Sequence, residues 1–109
     1  MRQITYAEKS LLVDDEPADL IIQYAKALAQ HGQADTVTLH CVGADGNEVH
    51  ASFLLNPSTN LMVESTNSTM TAPDNTQAVV YMLDCIARLN HEPRLAATQP
   101  EPDSQSEFE

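Results

Sequence analysis

Tryptophan is missing from this chain, and aromatic residues are few: three Tyr and two Phe in 109 residues. A core built here must therefore be aliphatic, from Leu, Ile, Val, Met and Ala. Basic residues are scarce as well, five against sixteen acids, for a net charge of −11 with His neutral. Such a chain is repelled by nucleic-acid phosphates and by anionic membrane surfaces. No apolar run approaches the roughly eighteen residues that span a bilayer, and no basic, then apolar, leader opens the chain. The two cysteines, Cys41 and Cys85, make neither a CxxC pair nor a disulfide framework. Buried free thiols in a soluble, cytoplasmic protein are the expectation. Equally absent are a Gly-rich phosphate loop, GxSxG, HExxH and Cys-His ligand spacing. No cofactor is expected, and neither nucleic acid nor membrane is expected as a partner.

What is present begins with Thr36 to Leu55, TVTLHCVGADGNEVHASFLL. Apolar and polar residues alternate on both arms, the mark of a half-buried antiparallel pair. A two-residue turn at Asp45-Gly46 would set apolar against polar throughout. A three-residue loop, Ala44-Asp45-Gly46 with Gly46 left-handed, instead sets Cys41 against Val49, Leu39 against Ala51 and Val37 against Phe53. A slip of one residue would turn that set to water, so the pattern enforces the register. On the other face the register places His40 opposite His50 and Thr38 opposite Ser52, with Glu48 beside His50. Cross-strand Cβ atoms on one face lie about 4.5 to 5.5 Å apart. The two imidazoles and Glu48 are thus a candidate metal set. They are equally a pair of surface histidines that repel once protonated, near an unperturbed pKa of about 6.5.

The remaining elements flank this hairpin. Residues Arg2 to Val13 read as a short hairpin turning near Ala7-Glu8, or as one irregular strand. A helix follows, capped by Asp14 or Asp15, with Pro17 suited to its first position and an apolar stripe of Leu20, Ile21, Tyr24, Ala25 and Leu28. The acids Asp14, Asp15, Glu16 and Asp19 suit a helix N-terminus and lack the spacing of a calcium loop. After the Asn56-Pro57 turn, Leu61 to Glu64 reads as a strand. The loop Ser65 to Pro73 is longer than a connection needs. Its Met70 is either a docking side chain or a residue folded back on the core. A second helix starts at Asp74, with Gln77 completing a capping-box-like pair and a stripe of Val79, Met82, Leu83, Ile86 and Leu89. Val80 and Tyr81, off that stripe, mark a possible partner contact. Residues 92–109, with three prolines and five acids, read as a disordered acidic tail, in which Phe108 stands alone.

The expected fold is α+β: a two-layer sandwich with a mainly antiparallel sheet of four or five strands and two helices on one face, in the order β(β)-α-β-β-β-α. Residues 1–91 make one domain. In element order the α-β-β-β-α portion resembles double-stranded-RNA-binding domains, and with the leading strand it resembles ribosome-hibernation factors. No motif of either family is present, and the acidic charge opposes phosphate binding. The sheet face away from the helices carries Thr38, Val42, Ser52, Leu54 and Met62, more apolar than a solvated face requires. With Met70 it is the candidate interface.

These readings define three expected functions. The first is a non-catalytic protein-interaction or regulatory domain, homodimeric through the open sheet face, with a partner of basic character. The second is an acidic mimic of nucleic acid that occupies a basic protein. It requires negative charge gathered on the folded surface rather than spent at helix caps. The third is a metal-binding protein or enzyme that uses His40, His50 and Glu48.

Overall fold

A computed structural model describes residues 1–91 and supports the α+β reading: a five-stranded, fully antiparallel sheet packs against two helices around one core. The tail at 92–109, Phe108 included, lies outside the described residues. In chain order the elements are β1 (Arg2–Tyr6), β2 (Lys9–Val13), α1 (Asp15–Gln30), β3 (Asp35–Val42), β4 (Glu48–Leu55), β5 (Leu61–Ser65) and α2 (Thr76–Asn90).

The β3–β4 hairpin takes the register expected from its alternation, with eight pairs from Asp35↔Leu55 to Val42↔Glu48. Gly43 donates its N–H to the Asn47 carbonyl (2.9 Å), which closes a three-residue loop, and Gly46 within it sits at φ +85°. That value suits glycine and strains any other residue. The Asp45 carboxylate accepts from the Asn47 backbone and side chain and stiffens the turn. The N-terminal segment is a hairpin too, turning at Ala7-Glu8 with Ala7 at φ +57°.

The sheet order is β4-β3-β2-β1-β5, so β5 pairs with β1 at the far edge rather than with β4, the strand before it. A curled sheet permits this. The Tyr6 hydroxyl of β1 donates to the Leu54 carbonyl of β4 at 2.8 Å, and the Tyr6 and Phe53 rings meet edge to face at 5.7 Å. In a flat sheet three inter-strand steps would hold those strands about 14 Å apart. The curl is possible because β2 and β3 pair only at Leu12↔Val42 and then diverge. Their separation leaves part of the inner edge of β3 without a strand beside it.

Helix α1 lies in the concave face with Leu20, Ile21, Tyr24, Ala27 and Leu28 buried. Asp14 caps it, its carboxylate accepting from the Asp15 N–H at 2.9 Å. Pro17 falls at the third helical position, two later than expected, still among the N–H groups that a helix start leaves unpaired. Helix α2 runs beside α1 in the same direction. Its buried positions are Met82, Cys85 and Leu89. Leu83, expected inside, is 49% exposed, and Val79 and Ile86 are half-buried. The helix is apolar over most of its circumference, so periodicity did not fix which side turns inward. One other core expectation is corrected: Val49 is exposed, because β4 is an edge strand whose turn end stands clear of the helices, whereas Ala51, half-buried, packs against the core. Cys41 and Cys85 are both buried and unpaired, and burial pushes the Cys41 thiol up to about 11.

Candidate functional site

The outer face of the β3–β4 hairpin brings together the three residues its register predicts. His40 and His50 stack with ring centroids 4.1 Å apart and planes 15° from parallel. Glu48 Oε2 lies 3.4 Å from His50 Nε2 and 3.8 Å from His40 Nδ1. One possible ligand atom from each residue falls within 4.8 Å of the other two. The neighbouring pair, Thr38 and Ser52, joins hydroxyl to hydroxyl at 2.8 Å.

The other expected interface residues divide. Thr38 and Ser52 are exposed, and Leu54, Met62 and Met70 are 50%, 49% and 43% exposed. Val42 is not available: it is 4% exposed. It pairs with Leu12 in β2, and the 66–75 segment lays Met70 over the hollow that Leu12, Val42 and Gly46 share. The correction follows from that covering loop, which the strand alternation does not report. Met70 itself lies over that hollow on the outer face and not in the core.

One arrangement had no direct sequence signal. Asn75, 8% exposed, is the one buried polar residue among those described. Its carboxamide makes two bonds to the backbone of β3: Oδ1 accepts from the His40 N–H at 2.7 Å, and Nδ2 donates to the His40 carbonyl at 2.8 Å. The side chain thus does at His40 what a peptide group of an adjacent strand would do. Asn75 stands at the N-cap of α2 but makes no capping bond. Asp74 performs that task, accepting from the Thr76 hydroxyl at 2.6 Å and the Thr76 N–H at 3.3 Å. These bonds hold the Asp74 carboxyl below the usual carboxylate range. The expected bond from Gln77 is not among those formed by the described residues.

Since the N–H and C=O of His40 point away from β4, His40↔His50 is a pair without hydrogen bonds between its own backbones. By the same alternation, the N–H and C=O of Thr38 and Thr36 also point away from β4, toward α2. Asp35 Oδ1 takes the Thr36 N–H at 2.7 Å. Between this strand edge and α2 runs a groove of about 420 Å³, lined by Thr36, Thr38, His40, Asp74, Asn75, Gln77, Ala78 and Tyr81 among others.

The far end of the groove is held by a three-element knot. Asp35 Oδ2 accepts from both the Tyr24 hydroxyl of α1 and the Tyr81 hydroxyl of α2, each at 2.5 Å, and the two rings meet edge to face. Burial works to raise the Asp35 pKa, but the two phenols and the Thr36 N–H outweigh it and the carboxyl is held low. The phenols move the other way. Tyr81, chiefly through its bond to Asp35, is raised to about 12, and burial followed by the same bond raises Tyr24. The period-3.6 pattern placed Tyr24 in a core stripe, and only the fold brings Asp35 to it.

Several acids are used locally. Asp15 faces the N-terminal amine at 3.3 Å, Asp19 the Arg2 guanidinium at 3.3 Å, and Asp14 caps α1. Among the described residues, no helix is long and apolar enough to cross a membrane. In comparisons with known proteins, no family model, no curated protein and no solved structure matches the chain.

Proposed function

We propose that this chain is a non-catalytic protein-interaction domain that receives an extended segment of a partner protein in the groove between β3 and α2. The observation that carries the reading is the Asn75 clasp. At His40 the strand edge is completed by an amide. Two residues along, Thr38 presents the same donor and acceptor to the groove, without an adjacent strand. An added strand gains affinity from such main-chain bonds and specificity from the side chains that alternate along it. The volume is in the range that holds a short segment, since ligand clefts run from about 300 to 1,000 Å³. Asp74 lines the groove, Asp35 stands at its far end, and no Lys or Arg is among the lining residues. The favoured segment is therefore extended and β-branched, with a basic residue beside Asp74. Asp74 and Tyr81 are already engaged, with Thr76 and Asp35 respectively, which suits recognition better than acid–base chemistry.

Selection of a displayed random-peptide library on the immobilised chain tests this. Enriched peptides should share the basic, β-branched pattern and lose binding to Thr38→Pro. That substitution removes the groove-facing N–H without breaking the β3–β4 ladder. Peptides that bind the variant equally well, or no enrichment at all, would sink the reading. The half-exposed Leu54 and Met62 on the outer face favour a second reading, a homodimer through that face. Sedimentation that stays monomeric up to high concentration would remove it.

A further inference from the structure

The groove leaves the outer face of the hairpin unused, and there a different set of side chains converges. We propose that His40, Glu48 and His50 form a binding site for a divalent transition-metal ion, with zinc as the reference ion. The proposal does not rest on the peptide-binding reading of the groove, although His40 also lines that groove. Its three ligands come from one hairpin: Glu48 and His50 two residues apart on β4, and His40 across from His50 on β3.

The geometry is near what zinc requires. Zn–N and Zn–O bonds of about 2.0 to 2.2 Å set tetrahedral donors roughly 3.3 to 3.6 Å apart. The His50–Glu48 separation of 3.4 Å is in that range, and the His40–Glu48 separation of 3.8 Å is slightly beyond it. The imidazoles must tilt out of their parallel stack so that both nitrogens aim at one point. Both rings are free to turn, with His40 43% and His50 62% exposed at the side chain. Their backbones are not free to move. The hairpin ladder fixes one strand against the other, and the Asn75 amide holds the His40 peptide group from the opposite side. The main chain is thus preorganised, and only the two rings must reorient to close on an ion.

Two imidazoles and one carboxylate select among metals. Imidazole suits zinc, copper, nickel and iron, whereas magnesium and calcium prefer oxygen donors throughout. Three protein ligands leave at least one coordination position open to water or to a donor from another molecule. The negative charge of the chain also raises the local concentration of cations. This long-range effect does not discriminate among them.

Isothermal titration of the full chain with zinc chloride at pH 7.5 in a non-chelating buffer tests the proposal. One zinc per chain should bind, with an excess of magnesium failing to displace it. His50→Gln and Glu48→Gln should each weaken binding at least about ten-fold, since loss of a residue that merely supports a ligand already costs that much. Both positions are exposed, so the variants keep the fold, and an unchanged amide NMR spectrum verifies it. Zinc should shift the imidazole proton resonances of His40 and His50 together. No zinc binding, or binding that both variants leave unchanged because it belongs to acidic side chains elsewhere, would overturn the site.

Discussion

The two hairpins solve one problem with unequal means. Each needs a residue at positive φ in its turn: β3–β4 has Gly46 at +85°, whereas β1–β2 has Ala7 at +57°. The first pairs over eight residues and its far strand is a free edge; the second pairs over five and is flanked on both sides, by β5 and, at one point, by β3. The central hairpin can therefore rely on its own turn, while the N-terminal one is held in shape by its neighbours. Local sequence governs the former and tertiary packing the latter.

The largest effect should come from the clasp through which the central hairpin borrows support from the start of α2. Asn75→Leu removes the amide and leaves the His40 N–H and carbonyl unpaired in a half-buried setting. Urea unfolding should register a loss of about 2 to 3 kcal/mol, as expected when polar groups are left without partners. A loss under half a kilocalorie would mean that the clasp is ornamental to stability. Next in size is Gly46→Ala, which forces a Cβ into the left-handed region at about 1 to 2 kcal/mol. There is room for the atom itself, the nearest neighbour being Met70 Cε at 3.9 Å, so the cost is conformational. The reverse change, Ala7→Gly, should stabilise by less than about 1 kcal/mol, because relief of strain is partly offset by the added freedom of the unfolded chain. If both turn variants shift stability in the same direction, the contrast between the hairpins is wrong.

The smallest effect is a dependence on pH at the Tyr24–Asp35–Tyr81 knot. The folded pKa of Tyr81, about 12, exceeds the ordinary phenol value of about 10. Its contribution is thus present below pH 10 and is lost as pH rises from 10 toward 12. For Asp35, held low in the folded state, the sign is opposite: the contribution is present above about pH 4 and is lost as pH falls through the folded value. Tyr81→Phe should flatten the alkaline decline in urea midpoint, and an unchanged slope would dissociate that decline from this phenol.

How much of this was legible depended on the range of the forces involved. The hairpin register and the meeting of His40, Glu48 and His50 could be read because period two and one glycine decide both. The position of β5 could not: strand adjacency follows from the curl, and the curl from β2 and β3 parting after Leu12↔Val42. Val42 looked like an outer-face residue, and it is one, but the loop carrying Met70 covers it. For α2, a helix with apolar residues at 79, 80, 82, 83, 85, 86 and 89 offers several equivalent stripes, and contact with α1 selects among them. Asp74 and Asn75 both suit a helix start. Nothing local says that the second turns its amide to a strand thirty-five residues earlier.

That amide has one more implication. It belongs to the residue just before a helix and is bonded at two points to one residue of a strand, so α2 cannot swing outward without stripping the His40 N–H and carbonyl of their partner. Helix tilt, groove width and the seating of one imidazole are therefore a single mechanical coordinate, with Asn75 as its pivot.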